Sequence, residues 1–322
     1  LYIPANLILR EYAKIKLACS CCKSGVAIGE LPPGVPLVEK GRVGPGLLSQ
    51  TVVSKFCDHV PLNRQEEIFK RQGVVIPRST QCDWVGQAAD LLEPIYKELI
   101  REVVNCHYVQ MDETHVKYQD ADNFLHTGYL WAMRSGVFPS VVFAFNESRS
   151  KEVPLRLLKG FQGFLQTDGY AGYNEVSLDS KITRLGCWSH GRRKFFEAQS
   201  SSALKSHEMV SLIKKLYAIE REIKEDPPDK KQLVRINQAQ PVLEQIKIRA
   251  EEWLKTELPK SAIYLASQYL LNQWQELIAY IQDGRLRIDN NAVEQQMRPA
   301  VLGRKNYLFF GSVEGGRRAA II

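Results

Sequence analysis

Three stretches of the chain decide its fold class: residues 108–117 read YVQMDETHVK, residues 124–134 read FLHTGYLWAMR, and residues 138–146 read FPSVVFAFN. All three are rich in Val, Tyr, Phe and Trp, and turn-forming residues separate them, as expected of β-strands. Because the connections are short, we predict three consecutive strands that form an antiparallel meander.

The residues after this meander predict strands and helices in alternation. We expect a short helix over Val153–Leu158, a fourth strand that ends at Asp168, a fifth strand over Ile182–Trp188 and a helix from His190. Strands that alternate with helices are typical of an α/β domain, here with a mixed sheet.

A helical region precedes the meander. Leu48, Val52 and Phe56 recur at four-residue spacing, and Thr80 with Asp83 has the form of a capping box that opens a further helix, which Pro94 kinks or restarts. Two helices that are joined by a short turn, with basic residues nearby, have the layout of a helix-turn-helix DNA-binding motif. A plain three-helix bundle with solvated charges is the alternative.

A second helical region separates the predicted fifth strand from the end of the chain. The last segment begins with an N-cap candidate at Asp289–Asn291, and its helix is predicted to stop at Pro299. We therefore predict five segments: a small strand-and-turn module or arm, a helical DNA-binding region, the first part of the α/β core, a helical insertion, and the end of the α/β core, at residues 1–45, 46–105, 106–199, 200–284 and 285–322.

Composition limits the classes of function. The 322 residues carry 43 Lys and Arg against 36 Asp and Glu, a net charge of +7 that suits a polyanionic partner. With 44% hydrophobic and 25% charged residues the chain is typical of folded globular proteins, and no apolar run reaches the length of a membrane span. Seven unevenly spaced cysteines make a poor disulfide framework and favour a reducing, cytoplasmic location.

Three acidic residues are candidates for chemistry. Asp112 lies in the apolar first strand, Asp168 ends the fourth strand before a glycine, and Glu294 lies in the last predicted helix. If the first and fourth strands are neighbours, the two aspartates meet, and their hard oxygens suit Mg²⁺ or Mn²⁺. Each acid also has an ordinary interpretation: Asp112 pairs with Lys117 or Arg134, Asp168 caps the turn, and Glu294 pairs with Arg298.

Several longer motifs resemble one family. They are DGYAGYN at 168–174, CWSHGRRKFF at 187–196, DNNAVE at 289–294, and the later residues Arg298-Pro299, Leu302 to Asn306 and Gly311-Ser312. In this order they resemble the DDE transposases of the insertion sequence 66 family, and residues 62–84 resemble the segment that precedes the catalytic domain of that family.

The resemblance implies a ribonuclease H-like fold with a helical insertion, preceded by a helical, helix-turn-helix-like region. It implies that Asp112, Asp168 and Glu294 are the catalytic, metal-binding triad for Mg²⁺ or Mn²⁺. It also implies cleavage at transposon ends and joining of the 3′-hydroxyl to target DNA by two-metal chemistry. A Cys-x-x-His element is matched by Cys187 and His190, and His190 is expected to orient a phosphate or a carboxylate.

Basic residues are candidates for binding the DNA backbone. Two clusters lie close in sequence to the motif residues, and others lie in the helical region before the meander. The alternative is a solvated helix face. The candidates for phosphate contact are Arg192, Arg193, Lys194, Arg298, Arg304, Lys305, Arg71 and Arg78.

The resemblance also implies segments on both sides of this chain. Cys19 and Cys22 supply half of a zinc site, and the family pattern places the other pair before Leu1, so zinc is not expected here. The expected partners are transposon-end and target DNA, a second copy of the chain on that DNA, and accessory proteins of the element, in a nucleoid-associated setting. A remnant that binds DNA without catalysis and a structure-selective nuclease are the alternatives.

Overall fold

The computed structural model describes residues 7–22, 25–33, 35 and 43–322. The chain divides into two compact units, one up to Leu91 and one over Leu92–Ile321. The predictions for residues 1–6, 23–24, 34 and 36–42 lie outside the described residues. Among the described residues, no helix combines the length and apolar character that crossing a membrane requires.

The first unit contains a hairpin and helices, as predicted. Strands β1 (Lys16–Ala18) and β2 (Val26–Ile28) pair antiparallel, and the cysteines Cys19, Cys21 and Cys22 follow β1 in exposed positions. Helices α1 (Pro45–Phe56) and α2 (Leu62–Arg71) precede α3 (Arg78–Asn105), whose N-terminal half belongs to this unit. Leu48 of α1 packs with Ala88 of α3 in its small core.

Two predictions about α3 are wrong. The helix begins at Arg78, so Thr80 lies inside the first turn and does not cap it. Pro77 explains the earlier start, because its fixed φ favours helix initiation and its carbonyl accepts the Gln81 N–H at 3.1 Å. The helix also continues through Pro94 without a restart, since Pro94 is exposed and water can satisfy the carbonyl that loses its donor.

The second unit is built on a five-stranded mixed sheet. Its strands are β3 (Tyr108–Gln119), β4 (Leu125–Ser135), β5 (Val141–Asn146), β6 (Gly163–Gln166) and β7 (Ile182–Leu185), in the order β5-β4-β3-β6-β7. The predicted meander β3-β4-β5 is antiparallel, whereas β6 and β7 run parallel to β3. The first and fourth predicted strands are therefore neighbours, as the site hypothesis required.

Gly163 permits the close pairing of β6 with β3. Its φ is +127°, a value that L side chains rarely adopt, and a Cβ on it would lie 2.3 Å from the His107 carbonyl oxygen. The backbone of β6 therefore approaches the start of β3 only because residue 163 carries no side chain.

Helices cover both faces of the sheet. On one face, Val109, Met111 and Trp131 pack with the C-terminal half of α3, with α4 (Glu152–Leu157) and with the turn that contains Tyr173. The other face meets helix α5 (Trp188–Glu197) through Tyr108 and Leu185, which share a core with Trp188.

The segment after α5 is helical, as predicted. It contains α6 (Ala203–Glu222), α7 (Pro228–Val234), α8 (Gln240–Thr256), α9 (Ala262–Asn272) and α10 (Trp274–Ile278). Its apolar residues join those of α5 in one core, so this helical insertion packs directly on the helix that follows β7. The domain boundaries drawn from the sequence remain predictions.

The chain returns to the sheet in its last two helices, α11 (Asn291–Tyr307) and α12 (Val313–Ile321). The prediction that the first of them stops at Pro299 is wrong: Pro299 is exposed inside α11, where the carbonyl without a donor can be hydrated. Between the helices, Phe310 pairs with the end of β3, since its N–H donates to the Lys117 carbonyl at 2.9 Å.

Candidate active site

Strand alternation directs Asp112 toward α11. Successive side chains of a strand point to opposite faces, and Val109 and Met111 pack on the α3 side of the sheet. Asp112 therefore faces the other side, and its register partner Ala132 on β4 packs there with Val293 and Met297 of α11. In its ordinary interpretation Asp112 pairs with Lys117 or Arg134, but both of these bases have other partners. Lys117 donates a hydrogen bond to Thr127, and Arg134 donates hydrogen bonds to Gln110 and Ser135.

Asp168 follows β6 in a turn that fixes its backbone. Its Oδ1 accepts the Tyr170 N–H at 3.0 Å, and its carbonyl accepts a hydrogen bond from Arg184 Nη2 at 2.8 Å. The carboxylate thus does cap the turn at Gly169, as its ordinary interpretation states. The hydrogen bond from the Tyr170 N–H holds the Asp168 carboxylate at the carboxyl end of β6, the strand that pairs with β3.

Glu294 lies in the first turn of α11. Its Oε1 is 3.8 Å from Nδ1 of His190 on α5, and both atoms are buried without a hydrogen-bond partner. The basic side chain beside it is thus His190, and not Arg298 as its ordinary interpretation had it. Cys187, His190 and Glu294 bring one potential ligand atom each within 4.8 Å of one another.

Burial and neighbouring acids act together on the pKa of Asp112. Burial raises it from 3.8 to about 8, and the neighbouring charges of Glu113, Asp168 and Glu294 add to the increase. Acidic side chains around a buried carboxyl group favour a bound cation, which would relieve their repulsion.

The donor atoms at this site fit a hard divalent cation. Asp112, Asp168 and Glu294 offer carboxylate oxygens, the ligands that Mg²⁺ and Mn²⁺ prefer, and the buried Glu294 Oε1 lacks a partner. Cys187 suits a softer ion only as a thiolate, and burial raises the pKa of this thiol to about 12. By their chemistry the three carboxylates suit a hard cation, whereas the ligand atoms that lie within 4.8 Å of one another are those of Cys187, His190 and Glu294.

A cleft of about 600 Å³ opens beside these residues. The side chains of Asp112 and Glu294 line it together with two arginines, Arg193 of α5 and Arg298 of α11. Asp168 is not part of the lining, and its connection to Asp112 is electrostatic. Acidic and basic side chains in one cleft can bind a phosphodiester and metal ions together.

The other basic candidates have different surroundings. Arg192 and Lys194 are exposed on α5, where Lys194 Nζ lies 5.5 Å from the Tyr269 ring centroid. Arg304 Nη1 donates to Thr114 Oγ1 at 2.9 Å and to the His115 carbonyl, which ties α11 to β3. Lys305 is exposed on α11, and the two candidates of the first unit, Arg71 and Arg78, are also exposed.

Sequence reasoning missed a network on the opposite face of β3. The Glu113 carboxylate accepts hydrogen bonds from Arg149 and, at 2.6 Å, from the Tyr173 hydroxyl. Arg149 lies 3.8 Å from the Tyr170 ring centroid, and the Tyr170 hydroxyl donates to the Arg149 carbonyl. Both tyrosines belong to the DGYAGYN motif, so the motif could have pointed to them. No feature of the sequence pointed to Arg149.

The exposed cysteines of the hairpin form a separate group. Hydrogen bonds from the backbone of Cys22 and Cys21 lower the pKa of Cys19 to about 7. A thiolate at neutral pH is a zinc ligand, and the expectation that zinc is not bound by this chain stays a prediction.

Comparison with known proteins identifies the family. The sequence model described as "Transposase IS66 family" matches residues 40–318. Similar proteins from Sinorhizobium fredii include "Uncharacterized protein y4jD", 32% identical over 99% of this chain and 65% of that protein, and "Uncharacterized protein y4hP", 29% identical over 99% of this chain and 62% of that protein. The chain belongs to the IS66 family of transposases. It spans less than two thirds of the length of these two relatives.

Proposed function

We propose that this chain carries the catalytic core of a metal-dependent DDE transposase with a ribonuclease H-like fold. The observation that carries the proposal is the pairing of β6, which ends just before Asp168, with β3, which carries Asp112, together with the packing of Val293 and Met297 of α11 on Ala132, the register partner of Asp112. The sheet order, with two parallel strands added to an antiparallel meander, supports the fold assignment.

In this proposal the acids hold two divalent cations. Bound there, the ions supply Lewis-acid activation of the attacking oxygen and stabilise the leaving oxygen of a phosphodiester. Asp112, Asp168 and Glu294 bind them, Arg193 and Arg298 orient the phosphate, and His190 holds the Glu294 carboxylate in place. The reaction cuts transposon ends and joins the freed 3′-hydroxyl to target DNA.

The contacts to the DNA backbone complete the proposal. The exposed residues Arg192, Lys194 and Lys305 extend the basic lining of the cleft, while Arg71 and Arg78 serve DNA binding by the first unit, whose helices include a helix-turn-helix reader. The protein acts on DNA as a homo-oligomer with Mg²⁺ or Mn²⁺, together with accessory proteins of the element, near the nucleoid.

The test combines metal binding with DNA cleavage. Mn²⁺ binding is measured by titration calorimetry, and nicking is followed on a plasmid that carries the terminal repeats flanking the coding sequence. Asp112→Asn, Asp168→Asn and Glu294→Gln are each expected to lower nicking by at least about 100-fold while DNA binding is retained. Glu225→Gln changes an exposed acid of the insertion and serves as the control.

The alternatives give different results in the same assay. Wild-type protein that binds DNA but neither binds Mn²⁺ nor nicks would identify a catalytically inactive DNA-binding remnant. Cleavage of branched DNA without joining of ends would identify a structure-selective nuclease. Nicking that persists in all three variants would overturn the assignment of the acids.

A further inference from the structure

Two tyrosines of the helical insertion reach the segments that carry Asp168 and Glu294. The hydroxyl of Tyr217 on α6 donates a hydrogen bond to Asp289 Oδ2 at 2.9 Å. Tyr269 of α9 lies against Gly169, where a Cβ would be 2.6 Å from the tyrosine hydroxyl oxygen. The insertion therefore contacts the chain next to both acids.

Asp289 connects Tyr217 to the start of α11. Its carboxylate also accepts the backbone N–H of Asn291 at 3.2 Å and the Asn291 side-chain amide at 2.8 Å, and its carbonyl accepts from Gln110 of β3 at 3.1 Å. Asp289 thus links α6, β3 and the first turn of α11, the turn that carries Glu294.

Tyr269 occupies the corresponding place beside Asp168. The lack of a side chain at Gly169 lets the phenol approach the turn in which Asp168 Oδ1 accepts the Tyr170 N–H. Burial raises the pKa of Tyr269 to about 12, and the charge of Asp168 adds to the increase. The hydroxyl stays protonated at neutral pH.

We propose that Tyr217 and Tyr269 are positioning residues through which the helical insertion sets the separation of Asp168 and Glu294. This inference rests on the proposed function, because the separation matters for a pair of metal ions held between the acids. Groups that orient metal ligands change metal affinity by about 10-fold to 100-fold when they are removed. The insertion is then part of the active-site framework.

The experiment compares Tyr217→Phe and Tyr269→Phe with Tyr264→Phe, all in the full chain. Tyr264 lies five residues before Tyr269 on α9, about 140° around the helix, so its ring points elsewhere. We expect each of the first two variants to weaken Mn²⁺ binding by about 10-fold and to lower kcat for nicking without changing KM for DNA. Excess Mn²⁺ should restore their nicking but not that of Asp168→Asn.

Hydrogen exchange followed by mass spectrometry gives a second readout that needs neither metal nor activity. Peptides that cover residues 168–174 should exchange faster in Tyr269→Phe, and those over 289–294 faster in Tyr217→Phe, with both unchanged in Tyr264→Phe. Unchanged hydrogen exchange in both variants would overturn the positioning role, whether or not the wild-type chain binds Mn²⁺. Absence of Mn²⁺ binding by the wild-type chain would by itself contradict only the proposed function. Where wild type does bind Mn²⁺, affinities within about twofold of wild type in both variants would also overturn it.

Discussion

Gln110 and Gln166 face each other across the parallel strands β3 and β6, joined by a hydrogen bond of 2.7 Å from Gln110 Nε2 to Gln166 Oε1. Asp112 and Asp168 each follow one of these glutamines by two residues. Because β6 runs parallel to β3 and ends at Gln166, the register that pairs the glutamines also brings Asp112 within β3 and Asp168 just after β6 to the same end of the sheet.

Replacing Gln166 with Met should weaken the fold and the metal site together. The Gln166 amide donates to the carbonyls of Gly186 and Arg287, and both lose a buried donor in the variant. We expect the free energy of unfolding to fall by about 3 kcal/mol in urea titrations, with weaker Mn²⁺ binding. Gln268→Met, an exposed change on α9, is the control, and equal stability of the two variants would contradict the prediction.

Arg149→Met tests the network behind β3. Glu113 is only 2% exposed in its side chain and would keep Tyr173 but lose its cation. We expect a loss of about 2 kcal/mol in the free energy of unfolding. Lys151→Met removes an exposed partner of Glu175 nearby and should cost less than about 0.5 kcal/mol. A stable Arg149→Met would show that Tyr173 alone satisfies Glu113.

The stability of the metal-free protein should fall as the pH rises. The folded pKa of Asp112 is raised from 3.8 to about 8, so its contribution is most favourable below pH 4 and is lost progressively as the pH approaches 8. Urea titrations in EDTA at pH 5, 6.5 and 8 measure this slope. Asp112→Asn should flatten it, and Mn²⁺ should raise the stability of wild type most at pH 8. A slope that is identical in the variant would rule out Asp112 as its source.

Substitutions of the neighbouring residues Arg304 and Lys305 should have different effects, the first on stability and the second on DNA binding. Arg304→Ala removes the hydrogen bonds to Thr114 and His115 and should lower the unfolding free energy by about 1.5 kcal/mol. Lys305→Ala should leave stability unchanged but reduce the salt dependence of DNA binding by about one phosphate contact. A wild-type salt slope in Lys305→Ala would exclude that contact.

The sheet could be predicted because its signals are local, whereas the roles of its acids stay predictions. The meander β3-β4-β5 follows from the β-branched and aromatic content of its strands, and the alternation of strands and helices gave the α/β class. The helix boundary failed at Thr80 because Pro77 starts the helix earlier. It failed at Pro299 because whether a proline ends a helix depends on whether water or a partner can reach the unpaired carbonyl. That depends on burial, which the local sequence does not record.

The contacts around the acids could not be predicted because they are long-range. Arg149 reaches Glu113, and Tyr217 reaches Asp289, only after the sheet and the insertion have packed. The local sequence around an arginine in a loop, or around a tyrosine on an amphipathic helix, does not indicate that the residue makes such a long-range contact. The parallel pairing of β6 with β3 likewise depends on a backbone approach at Gly163 that one glycine in a sequence does not reveal.

The order of these elements along the chain has a consequence for synthesis on the ribosome. Asp112 and Asp168 emerge with the sheet strands, and the insertion follows, but α11 with Glu294 emerges only after the whole insertion has been translated. A nascent chain that already holds its sheet therefore lacks the third acid until the rest of the core has formed. The order of translation therefore delays the point at which Asp112, Asp168 and Glu294 are all present in one folded chain.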